Sequence, residues 1–314
     1  MKTDHRPFVA LRQRGVALIT AILVVALVAS VATYLAAQNQ VRIQQMENLK
    51  ARAQAELLAR AAVDWARAIL ADDVIRGSTI DDYSELWATV VPPQQTDGGQ
   101  VGGRISDQQA LFNLNNLVWS GVAYPADVTR FQRLLTTLQL PSELANGLVD
   151  WMDVDSVVTY PGGAEDGEYI QQEPPYRAAN RLLVDLDELH QVRGFNAKII
   201  ARLRPFVTVL PERTSLNINT VSAEVLATVL DNGNLSDANA IVLARQSRPI
   251  QDKQDLLMRF PNLPMQSTDN SLEYASRYFL VASQAQYGTA VVREQALLQR
   301  NGMGWPKLIW IKQM

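Results

Sequence analysis

Cysteine is absent from all 314 residues, and with it go disulfides, zinc–thiolate sites and thiol nucleophiles. Histidine is almost as scarce: the two present, His5 and His190, share no region, so neither a His dyad nor a His-based zinc site can be assembled. Charge of one sign is lacking too, since 29 basic and 32 acidic residues leave a net −3, and nothing overall speaks for nucleic acid or an anionic membrane surface. Aromatic residues reach only 7%, and the acidic loop is not read as carrying the sugar-stacking surface that a glycosidase with paired carboxylates needs. The chain reads as no enzyme. Its stability must come from packing, for which 47% hydrophobic content suffices for one or two globular domains, and from metal where carboxylates allow it.

What is present is, first, an apolar run. From Val16 to Ala37 there is no charged residue, and at roughly 1.5 Å per helical residue the run can cross a hydrocarbon core of about 30 Å. Lys2, Arg6, Arg12 and Arg14 precede it against a single Asp4, an asymmetry that keeps the N-terminus cytoplasmic and puts everything after Ala37 outside. An ordinary signal anchor or a cleaved secretory signal has the same hydropathy. A secretory signal, however, needs a small-x-small site after its apolar core, and here the small residue, Gly15, stands before it. The run also passes without Gly or Pro into a polar, helix-favouring stretch from Gln38 to Asp72. There Met46, Leu49, Ala53, Leu57, Ala61, Trp65 and Ile69 recur at threes and fours, opposite Arg42, Glu47, Lys50, Arg52, Glu56 and Arg60. The pattern predicts one helix of about 80 Å whose outer half lays the Leu57 and Trp65 face on a sheet.

Turn signals follow from Gly77 to Gly103, with Pro92-Pro93 and Asp97-Gly98-Gly99 the clearest breakers. Alternation at Gly103–Asp107 and Leu111–Asn115 predicts a strand leading into a capped turn. From Pro125 to about Tyr274 the pattern is helical, with helices expected at 128–138, 142–151, 184–192, 196–203, 222–230 and 237–244, several opening on Ser, Asp or Asn caps. Strand periodicity returns at 278–285, 289–299 and 308–311, separated by Tyr287-Gly288 and Asn301-Gly302. An antiparallel meander that pairs with the strand near Ile105 would bury the apolar helix face, giving an α+β fold.

A basic leader, a glycine, and a hydrophobic helix continuing into an amphipathic one resemble the class III signal of type IV pilins and of type II secretion pseudopilins. That resemblance implies cutting by prepilin peptidase between Gly15 and Val16, with methylation of the new N-terminus. The family normally carries Glu five residues into the mature chain, where this chain has Thr20. The K-type minor pseudopilins resemble the chain in that departure and in length, and Phe112-Asn113-Leu114-Asn115-Asn116-Leu117 is similar to their segment at the domain boundary. The implied architecture is a type IV pilin-like fold, a long N-terminal helix on a small antiparallel sheet, with a large all-helical domain inserted. Its expected divisions are leader 1–15, transmembrane part 16–37, pilin-like helix and first strands 38–116, inserted domain 117–274 and last strands 275–314. Also implied are a single-pass inner-membrane location with a periplasmic head, and partnership with I- and J-type minor pseudopilins, the prepilin peptidase, the inner-membrane platform and exported proteins. At the tip such a subunit would initiate assembly and limit filament length. Thr20 cannot neutralise a neighbour's N-terminal amine within the membrane, where an unpaired charge costs several kcal/mol, so one leading copy is expected in place of a repeated one.

Two constellations remain. Asp150, Asp153, Asp155, Glu165, Asp166, Glu168 and Glu173 surround Pro161-Gly162-Gly163, and hard cations take six to eight oxygens from such loops, although EF-hand spacing is missing. A solvated acidic loop is the other reading of the same residues. The K-type resemblance implies calcium here, with Asp153, Asp155, Glu165 and Asp166 as ligands and Asp150 and Tyr169 beside them. The second constellation, Leu216-Asn217-Ile218-Asn219-Thr220 with Ala223 to Leu230, is similar to the first helix of the helix-hairpin-helix modules of DNA-uptake proteins. Its turn, Asp231-Asn232-Gly233-Asn234-Leu235-Ser236, lacks the second glycine and carries an Asp, so Asn217 and Asn219 are expected as turn and capping residues and nucleic acid is not expected as a partner. The alternative from another class is a signal-anchored, calcium-dependent binding module or hydrolase, followed by a DNA-uptake protein.

Overall fold

The computed structural model describes residues 14–96, 98–231, 233–263, 271–302 and 304–314. Leader residues Lys2, Asp4, His5, Arg6 and Arg12, and turn residues Asp97 and Asn232, lie outside them.

Helix α1 runs unbroken over Arg14–Ile75, 62 residues or about 93 Å at 1.5 Å per residue, longer than the pattern predicted. Nothing between Val16 and Ile75 breaks it: the stretch has neither Gly nor Pro and is rich in Ala, Leu, Arg, Gln and Glu. Its membrane-length window has a mean hydropathy of 2.7 and none of it is buried in the protein. The three Ser and Thr hydroxyls of that apolar part bond back to their own helix, Thr20 to the carbonyls of Val16 and Ala17 at 3.0 Å, Ser30 to Ala26 and Thr33 to Ala29 at 2.8 Å. They therefore present no unsatisfied donor to lipid. Gly77, at φ +86°, lets the chain turn away just beyond the helix.

The outer half of α1 lies on a five-stranded antiparallel sheet. Strands β1 (Val91–Thr96) and β2 (Gly99–Asp107) form a hairpin before the helical domain, and β9 (Tyr278–Tyr287), β10 (Ala290–Gln299) and β11 (Lys307–Gln313) form the meander after it. Their order is β1-β2-β9-β10-β11, with Ile105 opposite Val281. Pro92 and Pro93, expected as breakers, sit in β1, where an edge position and an irregular register between Val91 and Gln94 tolerate residues without an N–H.

The buried face of α1 is not the one expected, apart from Ile69, which packs against the cluster between helix and sheet. Ala55, Ala59, Val63, Ala66 and Leu70 face the sheet against Phe279, Val281, Ala285, Val292, Ala296 and Leu298. Leu57 and Trp65 remain 61% and 55% exposed, as do Met46 and Leu49 on the same outer side. Alanines at 55, 59 and 66 allow the helix axis close to the strands, whereas the bulkier stripe would hold it away.

Between β2 and β9 lies the predominantly helical unit. In chain order it contains β3 (Phe112–Asn113), β4 (Val118–Trp119), β5 (Val122–Ala123), α2 (Pro125–Thr137), α3 (Leu144–Met152), α4 (Asp166–Tyr169), α5 (Ala197–Leu203), β6 (Val207–Thr208), β7 (Leu216–Asn217), α6 (Ala223–Leu226), α7 (Leu235–Ser247), α8 (Lys253–Arg259) and β8 (Leu272–Glu273). The helix expected at 184–192 is a 3-10 segment, Leu186–Gln191, opened by an Asp185/Glu188 capping box. The one expected at 222–230 divides into α6 and a 3-10 turn. The strand expected at 111–115 shrinks to β3, which pairs in parallel with β6.

Polar side chains seal the junction of the two parts. Asp107, at the end of β2, is buried and accepts hydrogen bonds from Ser276 Oγ at 2.6 Å, Thr220 Oγ1 at 2.5 Å and Asn217 Nδ2 at 3.1 Å. Asn217 Nδ2 also donates to the Asp81 carbonyl at 2.9 Å, while its Oδ1 accepts from Asn219 N–H at 2.9 Å. Asn219 in turn exchanges two bonds with the Ile250 main chain, at 2.8 and 2.9 Å. Both asparagines are thus turn-forming residues, as expected, and Asn217 is in addition a bridge between the sheet and the helical unit.

Candidate cation site

Helix α3 is buried along its whole length, which fixes the carboxylates at its end. Asp150 lies in its last turn. At Asp153 the backbone becomes extended, with ψ 174°, and the helix stops. The loop then returns through Gly162, at φ +89°, and Gly163, where a Cβ would collide with the Asp150 carboxylate and the Thr159 carbonyl. Asp150 Oδ2 accepts the Thr159 N–H at 2.9 Å and holds the return in place. As a result, carboxylate oxygens of Asp153, Asp155 and Glu165 all lie within 4.8 Å of one another.

Asp153 and Glu165 are buried and Asp155 is exposed. One oxygen of each of Asp150, Asp153 and Glu165 is buried without a hydrogen-bond partner. A buried carboxylate oxygen with neither donor nor cation is costly, and the protonation equilibria register it. Burial, then the like charges of Asp155 and Asp150, pushes Asp153 up to about 6. Burial, followed by the charges of Asp150, Asp153, Asp155 and Asp166, pushes Glu165 up to about 7. Asp150 is raised by burial as well, against the opposing hydrogen bonds of Thr159. Hard oxygen donors, like-charge crowding and orphaned lone pairs together fit a cation such as calcium.

Asp166 stands apart from this trio. It begins α4, where its Oδ1 accepts the Ala178 N–H at 3.0 Å and its Oδ2 faces Arg177 at 3.7 Å. Tyr169 lies close by, edge-on to Trp151 with ring centroids 5.1 Å apart, its hydroxyl accepting the Arg193 N–H at 3.2 Å. Glu168 is paired with Arg193.

A second acidic group, Asp73, Asp81 and Glu85, escaped the sequence reading because its compensating residue, Arg300, is more than two hundred positions away. Its oxygens are equally close. Here the positive charge is already supplied: Arg300 pairs with Asp81 and lies 2.9 Å from Asp73, and Glu85 accepts from Ser78, Trp87 and the Asp82 N–H. Asp81 Oδ1 is likewise buried without a hydrogen-bond partner, but among the described residues the Asp153 group differs in having no arginine or lysine paired with it.

A family profile described as type II secretion system (T2SS), protein K, matches residues 110–212, and a second of the same description matches residues 216–273. The chain is 37% identical over 307 residues to type II secretion system protein K of Pseudomonas aeruginosa PAO1, covering 93% of this chain and 90% of that protein. It belongs to the type II secretion system protein K family. Family membership makes it a minor pseudopilin of type II secretion, a structural component of that machinery. Protein K of Aeromonas hydrophila is 29% identical over 310 residues, covering 92% of this chain and 94% of its own length. The putative protein K of Escherichia coli K12 is 32% identical over 250 residues, 76% of this chain and 75% of that one. Among solved structures, the crystal structure of the GspK-GspI-GspJ complex from enterotoxigenic Escherichia coli superposes with a TM-score of 0.69 at 24% identity, covering 88% of this chain and 99% of the matched one. That likeness speaks for the pilin-like fold with its helical insertion. Of the two protein K profiles, the first spans the cation trio and the second spans Asn217.

Proposed function

We propose that this minor pseudopilin leads the secretion pseudopilus as a single copy at its tip, anchored once in the inner membrane with its head in the periplasm. In that place it assembles with I- and J-type partners, initiates the filament and limits its length. The observation that carries the reading is Thr20, whose hydroxyl is engaged by its own helix at 3.0 Å and which offers no carboxylate to a neighbouring N-terminus. A subunit of this kind cannot play a neutralising part in each repeat, but it can precede all others. The helical unit between β2 and β9 favours the same position, since a bulky insertion repeated at each step would crowd its neighbours. The assembly named for the enterotoxigenic relative, with GspI and GspJ, supports the choice of partners.

The proposed divisions are a leader ending at Gly15, a transmembrane part to Ala37, the pilin-like body to Asn116, the inserted domain to Tyr274 and the last strands. Prepilin peptidase, the inner-membrane platform and exported proteins are the further partners, and the role is structural, not catalytic. Within the insertion, Asp153, Asp155 and Glu165 would hold calcium, with Asp150 supporting the loop and Asp166 at most peripheral. The ion would supply positive charge to orphaned oxygens and tie the end of α3 to the returning loop.

Imaging of pseudopili labelled in the insertion tests the principal claim. Label confined to one end is expected; label along the shaft, or normal assembly kinetics without this protein, would overturn it. For the processing step, N-terminal sequencing after coexpression with the peptidase should read Val16 first, and an intact Met1 would remove it.

A further inference from the structure

We propose that Asp73, Asp81 and Glu85, gathered round the guanidinium of Arg300, form a proton-held latch that fastens the strap after α1 between the pilin body and the helical unit. The strap, residues 78–87, is tied on both sides. Toward the helical unit, Asp81 N–H donates to the Tyr274 carbonyl at 2.8 Å, the Asp81 carbonyl accepts Asn217 Nδ2 at 2.9 Å, and the Tyr83 hydroxyl donates to the Thr220 carbonyl at 2.8 Å. Toward the sheet, Trp87 is buried edge-on against Phe279, with ring centroids 5.2 Å apart.

Charge joins this strap to α1 and to the end of β10. Arg300 is buried just beyond β10, where it gives Nη1 to Asp73 of α1 at 2.9 Å and pairs through Nη2 with Asp81 of the strap. Its Nη2 also donates to the Ser276 carbonyl at 2.9 Å, and its Cζ lies 4.9 Å from the Phe279 ring centroid, so the fork is fixed in place. Around it, oxygens of Asp73, Asp81 and Glu85 all lie within 4.8 Å of one another. Glu85 Oε2 already accepts Trp87 Nε1 at 2.7 Å and the Asp82 N–H at 3.1 Å. Its further contact with Asp73 is a hydrogen bond between two carboxyl groups, which needs a proton on one of them. Asp81 Oδ2 accepts the Ser276 N–H at 2.6 Å as well as Arg300, while its Oδ1 is buried without a partner.

The other titratable groups nearby leave this balance in place. Asp107, at the end of β2, accepts the Ser276 hydroxyl; Tyr83 and Arg245 donate to main-chain carbonyls of the helical unit; and on α1 Asp72 pairs with Arg76 on the exposed side. Burial, then the charge of Glu85, pushes Asp73 up to about 6, and burial pushes Asp81 up to about 7 against the attraction of Arg300. Both have an ordinary value of 3.8, so the folded protein holds their protons more tightly than the unfolded chain does. Their share of stability is complete in acid and is lost as pH rises through those raised values. Above them, three negative charges crowd one positive charge, and the strap between the two bodies is the part that gives way.

Hydrogen exchange read by mass spectrometry on full-length protein in nanodiscs tests the latch, with rates corrected for intrinsic pH dependence and normalised to β9. Between about pH 5.5 and 8.5, in calcium and in chelator alike, protection of residues 78–87 should fall by about tenfold or more. In Asp73→Asn, whose amide donates to Glu85 and accepts from Arg300 with no proton to lose, most of that fall should vanish. Asp72→Asn, which breaks only the exposed pair with Arg76, should leave the fall unchanged. A strap equally protected at both pH values overturns the latch without recourse to any variant, and so does a fall that Asp73→Asn keeps in full. Protection at the higher pH that calcium restores would make the group a cation site, and that too overturns the proposal.

Discussion

Asp153 and Glu165 are held at about 6 and about 7, against ordinary values of 3.8 and 4.5, so their protons are bound more tightly in the folded protein than in the unfolded chain. Groups shifted upward in this way contribute stability that is complete below the unfolded value and disappears as pH rises through the folded one. Without calcium, the trio should therefore weaken the head progressively between about pH 4 and 7, and calcium, which competes with those protons, should restore more at pH 7.5 than at pH 5. Asp81, pushed up to about 7 by burial, acts in the same direction, so the diagnostic quantity is the difference in Tm between calcium and chelator at each pH. A larger difference at pH 5 would contradict the site. Asp153→Asn should raise calcium-free stability at pH 7.5 by on the order of 1 kcal/mol by removing a buried charge, while abolishing the calcium response. Asp166→Asn should leave that response in place, because its oxygens are directed to Ala178 and Arg177. Composition and spacing made the acidic loop legible as a metal candidate. Which carboxylates converge was not legible, because it depends on the chain reversing at Gly162 and Gly163, a three-dimensional closure that linear spacing does not encode.

At the scale of the element, α1 shows how a correct helix can be assigned the wrong inner face. Alanine lies on both sides of it, and the larger residues Leu57 and Trp65 drew the eye, yet the sheet is served by Ala55, Ala59 and Ala66. Periodicity fixes the angle between stripes; it does not say which stripe meets a given neighbour. Ala59→Leu should accordingly destabilise the head by about 1–3 kcal/mol through overpacking against β9 and β10. Leu57→Ala, on the outer side, should change head stability by less than about 0.5 kcal/mol. Denaturant unfolding of the two variants under one condition measures both, and the reverse ranking would restore the expected face. The β1 hairpin was read as loop for a related reason: Pro92 and Pro93 forbid a central strand but not an edge. In the helical unit, short 3-10 turns replaced longer predicted helices where tertiary packing, not propensity, decides the ends.

Over the whole molecule, two bodies are held in one orientation by Asp107, Asn217, Ser276 and Asp81 with Arg300. The order of elements was visible in the sequence, since strand periodicity ceases near Asn115 and resumes at Tyr278. The residues that weld the junction were not, because they are drawn from five separate stretches of the chain. Asn217→Ala would strip a donor from Asp107 and from the Asp81 carbonyl, both buried, at a cost of about 2 kcal/mol. Calorimetry should then resolve the helical unit from the pilin body as separate transitions, whereas a single unchanged transition would show the contact to be incidental. The same rigidity extends downward. From Val16 to Ile75 the chain has no glycine, no proline and no break in its helix, and the sheet grips the upper half directly. Such a rod has no universal joint. With α1 anchored as proposed, a rotation imposed on its apolar half arrives at the head as a rotation, and an axial thrust arrives as a thrust, so the orientation of everything the head carries is dictated from the membrane.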